Sequence, residues 1–400
     1  MTGTASPPAD LEIVWDDQLT AYDHGPGHPL RPVRLELTMS LARQLGILDR
    51  KGISFRSPTM ASDELLGLVH DPLYVGYVRH ATPDQIVNAA GRHFGFGSAD
   101  NPIFDQMHEA SALVSGASAT AAAAVWEGRA KRAVNLAGGL HHAMRDHASG
   151  FCVYDDPAVG IAWLLAAGAQ RVAYVDVDVH HGDGVQAAFY GDPRVLTISL
   201  HESGRTLFPG TGFASEIGRG DGAGYSVNVA LPAGTNDAGW MRAFEAVVPP
   251  LLSAYQPQML MTQHGCDTHW LDPLAHLQCS VDGQRASYQR LAQLADSCAG
   301  GRWVALGGGG YEVGQVVPRA WTHLLAVLTG APVNGATPDD WRQQVRERVG
   351  GPAPAALTDL EDPVHAVRSG EPWQGSTGSP LDESIMATRR ALFPLHGLTP

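Results

Sequence analysis

The stretch YVDVDVHHGDG, residues 174–184, closes a run of apolar residues that begins at Arg171. Val172, Val175, Val177 and Val179 are β-branched and suit a buried strand, which Gly182 and Gly184 then end. Asp176 and Asp178 are two apart and so share one face of an extended chain, and His180 continues that face. Three side chains able to ligate a metal therefore converge. An unpaired carboxylate in an apolar strand costs several kcal/mol, so a cation is expected among them. The alternative, aspartates satisfied by backbone donors and arginines, is disfavoured by the density of Asp and His between residues 176 and 183.

Four hundred residues with 44% hydrophobic content can bury an extensive core as one large domain or two ordinary ones. The formal charge of -14 argues against a nucleic-acid surface. Cys152, Cys266, Cys279 and Cys298 form no CxxC pair, which fits a reducing interior. No basic-then-apolar leader opens the chain, and the longest apolar stretch, residues 158–169, is too short to span a bilayer. A cytoplasmic protein without membrane partners is expected, with its oligomeric state open.

Residues 1–10 read as a loose tail, 11–330 as the working domain and 331–400 as a helical appendage docked on it through a flexible link near 350–356. Strands are expected at 11–15, 132–136, 171–179, 194–200, 225–231, 258–262 and 302–306, with helices between several of them and an alanine-rich helix at 110–126 that carries no chemistry. Alternating strands and helices imply a largely parallel sheet, whose ligand site lies beyond the carboxyl ends of the strands. His141, His142, Asp178, His180, Asp267 and Tyr311 all fall at such ends. His24 and His28 in the turn-rich segment YDHGPGHP are tempting ligands, but loop histidines bonded to backbone are the favoured reading. Thr337 and Ser379 each precede Pro and acidic residues, as helix caps do.

Asp178, His180 and Asp267 supply one imidazole and two carboxylates, a set that leaves positions open for water and substrate. Zinc is the first expectation, and ferrous iron, manganese or cobalt could use the same ligands. Asp176 and Asp183 remain to orient His141 and His142. Two such pairs beside a metal make a hydrolase centre, and Tyr311 could donate its hydroxyl to a developing oxyanion.

GGLHHA (138–143), GFCVYDDPAVGI (150–161), YVDVDVHHGDGVQ (174–186), TISLHE (197–202) with FPGTG (208–212), YSVNV (225–229), HGCDTHWLDPLAHL (264–277) and GGGGY (307–311) resemble the histone deacetylase family across residues 12–325. GPGHPLRP (25–32) and HGCDTHWLDPLAHL resemble its bacterial acetoin-utilisation branch. The resemblance implies an arginase/deacetylase fold, an α/β architecture with one parallel sheet of about eight strands and helices on both faces, and metal-dependent removal of acyl groups from lysine side chains. Under it, Asp178, His180 and Asp267 are metal ligands, and His141 with Asp176 and His142 with Asp183 are imidazole–carboxylate pairs. Tyr311 stabilises the intermediate. Gly150, Phe151 and Phe208 wall an acyl-lysine tunnel with Asp100 at its rim, and Arg34 flanks an acetate exit channel. The family's potassium site matches Ser199 and the backbone of Asp176, Asp178, His180 and Leu200; a second would use carbonyls of Phe189, Asp192, Val195 and Tyr225. Asp155 departs from the family, which often has Asn there, and is expected to alter tunnel polarity.

The leading expectation is a protein-lysine deacetylase, with His142 as general base and His141 as electrostatic partner, roles the two could exchange. A small-molecule amidohydrolase acting on acetylated polyamines is the alternative. Leu274 stands where polyamine-directed relatives carry Glu, which favours lysine. A binding module without catalysis would need neither Tyr311 nor the two pairs. The branch suggests acetyl-CoA synthetase as the acetylated protein partner, and composition neither supports nor excludes it.

Overall fold

The strands β1 (Ala9–Val14), β2 (Ile53–Arg56), β3 (Ala130–Asn135), β4 (Val172–Asp176), β5 (Val195–Glu202), β6 (Ser226–Leu231), β7 (Met259–Gln263) and β8 (Trp303–Leu306) pair in parallel, in the spatial order β2-β1-β3-β8-β7-β4-β5-β6. The structure is a computed structural model and describes residues 9–84, 87–359 and 373–400. Every residue of β4, β5, β7 and β8 is buried. Strands hidden on both sides require helices over both faces, and the connecting helices supply them. The expected single parallel sheet is therefore present. All four cysteines are free, and no helix among the described residues is long and apolar enough to cross a membrane.

Several boundaries differ from expectation for local reasons. Ala9 and Asp10 belong to β1 rather than to a tail, because Ala9 N donates to Arg129 O at 2.9 Å alongside β3; residues 1–8 of that tail lie outside the described residues. A short helix, Ala89–His93, capped by Asn88, precedes the glycine-containing segment that leads to Asp100. The strand expected to reach Val179 stops at Asp176. There Asp176 Oδ1 accepts from Asp178 N at 3.1 Å, and Asp178 Oδ1 then accepts from His180 N at 2.9 Å. Two successive aspartate turns thus replace the ladder. Asp176, Asp178 and His180 consequently do not share one strand face.

Beyond residue 331, the Asp339–Val349 helix packs Trp341 and Val345 against Val33, Leu37 and Leu41, and Trp341 Nε1 donates to Leu37 O at 2.9 Å. Thr337 does not cap this helix. Pro338 holds the cap position without a side-chain bond, and the Thr337 hydroxyl is committed to Pro354 O. The segment 350–356, expected as a loose link, returns alongside 335–337, with Ala336 bridging Ala356 and Leu357 buried. The Pro380–Leu392 helix, capped by Ser379 as expected, lies along β6. Its Ser384 and Thr388 hydroxyls donate to Ala230 O and Asn228 O, while Ile385 and Leu392 enter the main core.

Candidate active site

Four neighbouring strands, β3, β8, β7 and β4, deliver the chemistry-bearing residues from their carboxyl ends. His141 and His142 follow β3, Tyr311 follows β8, Asp267 follows β7, and Asp178 and His180 follow β4. The loop after β3 is pinned by Asp156, whose Oδ2 accepts from Gly139 N at 3.0 Å and whose Oδ1 accepts from Leu140 N at 2.8 Å. The Ser118 hydroxyl donates to the same carboxylate. The alanine-rich helix, expected to be chemically silent, therefore braces the histidine loop.

Asp178, His180 and Asp267 are buried, and one ligand atom from each lies within 4.8 Å of the others. Each carboxylate turns one oxygen inward and has the other tied, and the inward Asp178 Oδ1 also accepts from His180 N. Asp178 Oδ2 accepts from Gln263 Nε2 at 2.6 Å and Gly309 N at 2.8 Å, and Asp267 Oδ1 accepts from Val179 N at 2.9 Å. Asp178 Oδ1 and Asp267 Oδ2 then face His180 Nδ1 at 3.1 and 3.2 Å. Burial opposes a charge on His180, yet the two carboxylates push its pKa up to about 10. Burial and the neighbouring Asp178 raise Asp267 to about 6. Both shifts express one demand, for positive charge between the inward oxygens, and a divalent cation meets it with the same donor atoms. A Cβ at Gly309 would lie 1.9 Å from Asp267 Oδ2, so the ligands approach backbone that only glycine leaves open.

Beside this centre, His141 Nδ1 lies 2.7 Å from Asp176 Oδ2, and His142 Nδ1 lies 2.6 Å from Asp183 Oδ1. Tyr174 OH donates to Asp176 Oδ2 at 2.8 Å, fixing that carboxylate from behind. Carboxylates accept only, so both Nδ1 atoms carry hydrogen and both Nε2 atoms face the site. Burial, helped by the neighbouring His141, lowers the pKa of His142 to about 4.

A channel of about 190 Å³ ends on His142, His180 and Tyr311 and is lined by Asp100, Gly150, Phe151, Leu207, Phe208 and Leu274. Phe208 stands edge-on to His142 with ring centres 5.0 Å apart. Phe151 adopts a left-handed backbone, φ 69°, which a side-chain-bearing residue holds only under constraint. The constraint is visible. Its carbonyl accepts from Tyr22 OH at 2.8 Å and His24 Nε2 at 3.0 Å, and its N–H donates to Asn101 Oδ1 at 3.0 Å. His28 Nε2 donates to Asp100 O at 3.2 Å. His24 and His28 are thus backbone-bonded, and what they hold is the channel wall. Asp272, within HGCDTHWLDPLAHL, accepts from Tyr311 N at 2.8 Å and from Leu274 N at 3.0 Å.

Asp155 does not line the channel. It caps the Asp156–Ala166 helix from within the core. Arg34 lies behind the glycine run, donating to Gly308 O at 2.9 Å and Gly310 O at 3.0 Å with its guanidinium over Trp321. Ser199 pairs in register with Asp176 and donates to His201 Nδ1 at 2.8 Å. His201 Nε2 gives its hydrogen to Gly212 O, so the Ser199 hydroxyl hydrogen is committed and its lone pairs are left for a cation beside Leu200. Farther off, the carbonyls of Phe189, Asp192 and Tyr225 accept from Asp192 N, Val195 N and Thr197 N at 3.0, 3.2 and 2.9 Å, and Tyr225 O also accepts from Thr197 Oγ1 at 3.5 Å.

The model of the histone deacetylase domain matches residues 28–328. The chain belongs to the histone deacetylase family. It is 38% identical over 357 residues to the acetoin utilization protein AcuC of Bacillus subtilis, covering 88% of this chain and 91% of that one. Against AcuC of Staphylococcus xylosus it is 36% identical over 329 residues, 82% of this chain and 85% of the relative. These relatives place it in the bacterial acetoin-utilisation branch of the family's deacetylase hydrolases. A crystal structure of a histone deacetylase homologue complexed with SAHA superposes with a TM-score of 0.80 at 29% identity, over 95% of this chain and all of that one. The homologue from Aquifex aeolicus gives 0.80 at 28% identity, over 94% and 99%. The eight-stranded sheet is the arginase/deacetylase fold.

Proposed function

We propose that the chain is a metal-dependent hydrolase that removes acetyl groups from lysine side chains of proteins. The observation that carries this reading is the division of labour among the carboxylate oxygens. Asp267 spends Oδ1 on a backbone donor and Asp178 spends Oδ2 on an amide and a backbone donor, while Asp267 Oδ2 and Asp178 Oδ1, the latter also accepting from His180 N, converge on His180 Nδ1 directly beside two imidazole–carboxylate pairs. Asp178, His180 and Asp267 would hold zinc, or ferrous iron or another divalent ion, which supplies Lewis-acid polarisation of the amide carbonyl and acidifies water. Ser199 with the backbone of Asp176, Asp178, His180 and Leu200 would hold potassium.

His142 accepts the proton of the attacking water on Nε2, because Asp183 keeps its Nδ1 hydrogen in place and burial keeps the ring neutral. The same ring then returns that proton to the departing lysine nitrogen. His141 remains cationic under Asp176 and Asp178, with its pKa raised to about 10 against the effect of burial, and stabilises negative charge. Burial holds the Tyr311 hydroxyl protonated, so it can donate to the carbonyl oxygen as charge develops there. The apolar walls Phe151 and Phe208 suit a lysine stem with its charge removed by acylation. Leu274 offers no anion for the second cation of a polyamine. The test is turnover of an acetyl-lysine peptide against an acetylated polyamine, with metal analysis of the same sample. Faster turnover of the polyamine, or full activity without a divalent metal, would sink the reading.

A further inference from the structure

Glu202, the last residue of β5, is 1% exposed although it carries a carboxylate. Such a group is held in a core only when donors surround it. Three do. Thr206 Oγ1 and His276 Nδ1 donate to Oε1, and His276 N donates to Oε2, all at 2.9 Å. The carboxylate fixes the His276 tautomer with its hydrogen on Nδ1, while 62% of that side chain remains exposed.

The donors come from two separate segments of the channel mouth. Thr206 leads directly into Leu207 and Phe208, and His276 follows Leu274 by two residues. Leu207, Phe208 and Leu274 all line the channel. The first segment leaves the sheet from β5 and the second from β7, with β4 between them. Glu202 thus joins the two walls directly, beside a longer route through the end of β6 and the loop after it, where Ser203 N donates to Leu231 O at 2.8 Å and Gly234 N to His276 O at 2.9 Å. Because Glu202 Oε1 takes a hydrogen from each segment, one oxygen fixes where both walls sit relative to the end of β5.

We infer that Glu202 is a positioning residue that sets the spacing between the Leu207–Phe208 wall and the Leu274 wall, and so governs how well the channel accepts an acyl-lysine embedded in a peptide. The inference rests on the lysine-deacylation reading above. A glutamine at this position presents one acceptor oxygen and turns two hydrogens toward donors that need an acceptor.

The experiment compares Glu202→Gln and His276→Ala with the parent, using an acetyl-lysine peptide and a blocked single acetyl-lysine with the same stem and acyl group. Glu202→Gln is expected to raise KM for the peptide about tenfold, the worth of one hydrogen bond to a charged group, with kcat changed by less than about twofold. The single residue, which engages less of the mouth, should change little, so the ratio of the two kcat/KM values falls about fivefold or more. His276→Ala, at an exposed side chain that the fold tolerates, should lower the ratio in the same direction and by less. Equal losses on both substrates would mean general damage and would overturn the inference, as would an unchanged ratio or a fall confined to kcat. Should the parent turn over neither substrate, the deacylation reading fails, and the same ratio taken from dissociation constants of the two ligands decides the role of Glu202.

Discussion

The Nε2 atoms of His141 and His142 lie 3.1 Å apart, which makes the two imidazoles one acid–base unit. Burial opposes charge on both rings. Asp176 and Asp178 overcome it at His141 and hold that ring protonated to about pH 10, whereas at His142 burial and the neighbouring cation push the pKa down to about 4. A proton taken up as the pH falls therefore goes to His142 and removes its lone pair. The acid limb of kcat/KM is expected well below the ordinary histidine value, and a divalent cation close by moves it the same way. A pH–rate profile with that limb at or above the ordinary value would remove His142 as the neutral base.

His142→Ala should lower kcat by about 10² to 10⁴ while KM for an acetyl-lysine peptide moves far less, because a general base acts in the transition state. Steady-state rates settle it. A variant altered in KM alone would make His142 a binding residue.

Asp267→Ala and His180→Ala should lose bound metal and activity together and keep the fold. Both ligands lie beyond the strands, and removing Asp267 relieves the crowding of two carboxylates on one imidazole. Metal analysis and circular dichroism on the same samples provide the check. Full metal with full activity in either variant contradicts the ligand set.

Tyr311→Phe keeps the ring that packs edge-on against Phe151 and removes one hydroxyl. Loss of a donor to an oxyanion costs about 10² to 10³ in turnover. Metal content should be unchanged. Turnover near the parent rate would reduce Tyr311 to a packing residue.

Asp155→Asn should stabilise the protein at neutral pH. Asp155 Oδ1 caps its helix through Ala158 N at 2.8 Å, while Oδ2 is buried without a partner among the described residues. Burial holds the folded pKa well above 3.8, so as pH rises the unfolded chain loses this proton before the folded one does. Stability contributed by that proton is present below the unfolded value and falls as pH rises, by about 1.4 kcal/mol per unit until the folded carboxyl ionises. Asn retains the capping oxygen and cannot ionise. Urea unfolding of both proteins should show a gain near neutrality that vanishes at about pH 3; an equal gain at both would mean that Asp155 is ionised in the fold.

The parallel sheet and the clustering of Asp178, His180 and Asp267 were legible in the sequence because β-branched runs ending in Gly, His and Asp mark both a strand and its functional end. The end of β4 was not, since an aspartate can sit in a ladder or capture the N–H two residues on, as Asp176 does with Asp178 N. His24 and His28 could be placed on backbone but not on which backbone: Phe151 is 127 residues from His24 in the chain. Asp156, Asp272 and Glu202 stand within quoted motifs, but their roles were not legible for a related reason. Each acts by accepting hydrogens from loops distant in sequence, and an acidic residue after a strand or at a helix start has no local pattern that separates a brace from a cap.

Strand β6 ends the sheet, and on its open side Asn228 O and Ala230 O are taken by hydroxyls of the Pro380–Leu392 helix. An uncovered strand of that kind is a template for another chain. The C-terminal helix is thus a guard against self-recognition as well as a piece of packing. A chain ending before it would keep every catalytic group and still be expected to vanish from solution, as copies joined edge to edge through β6.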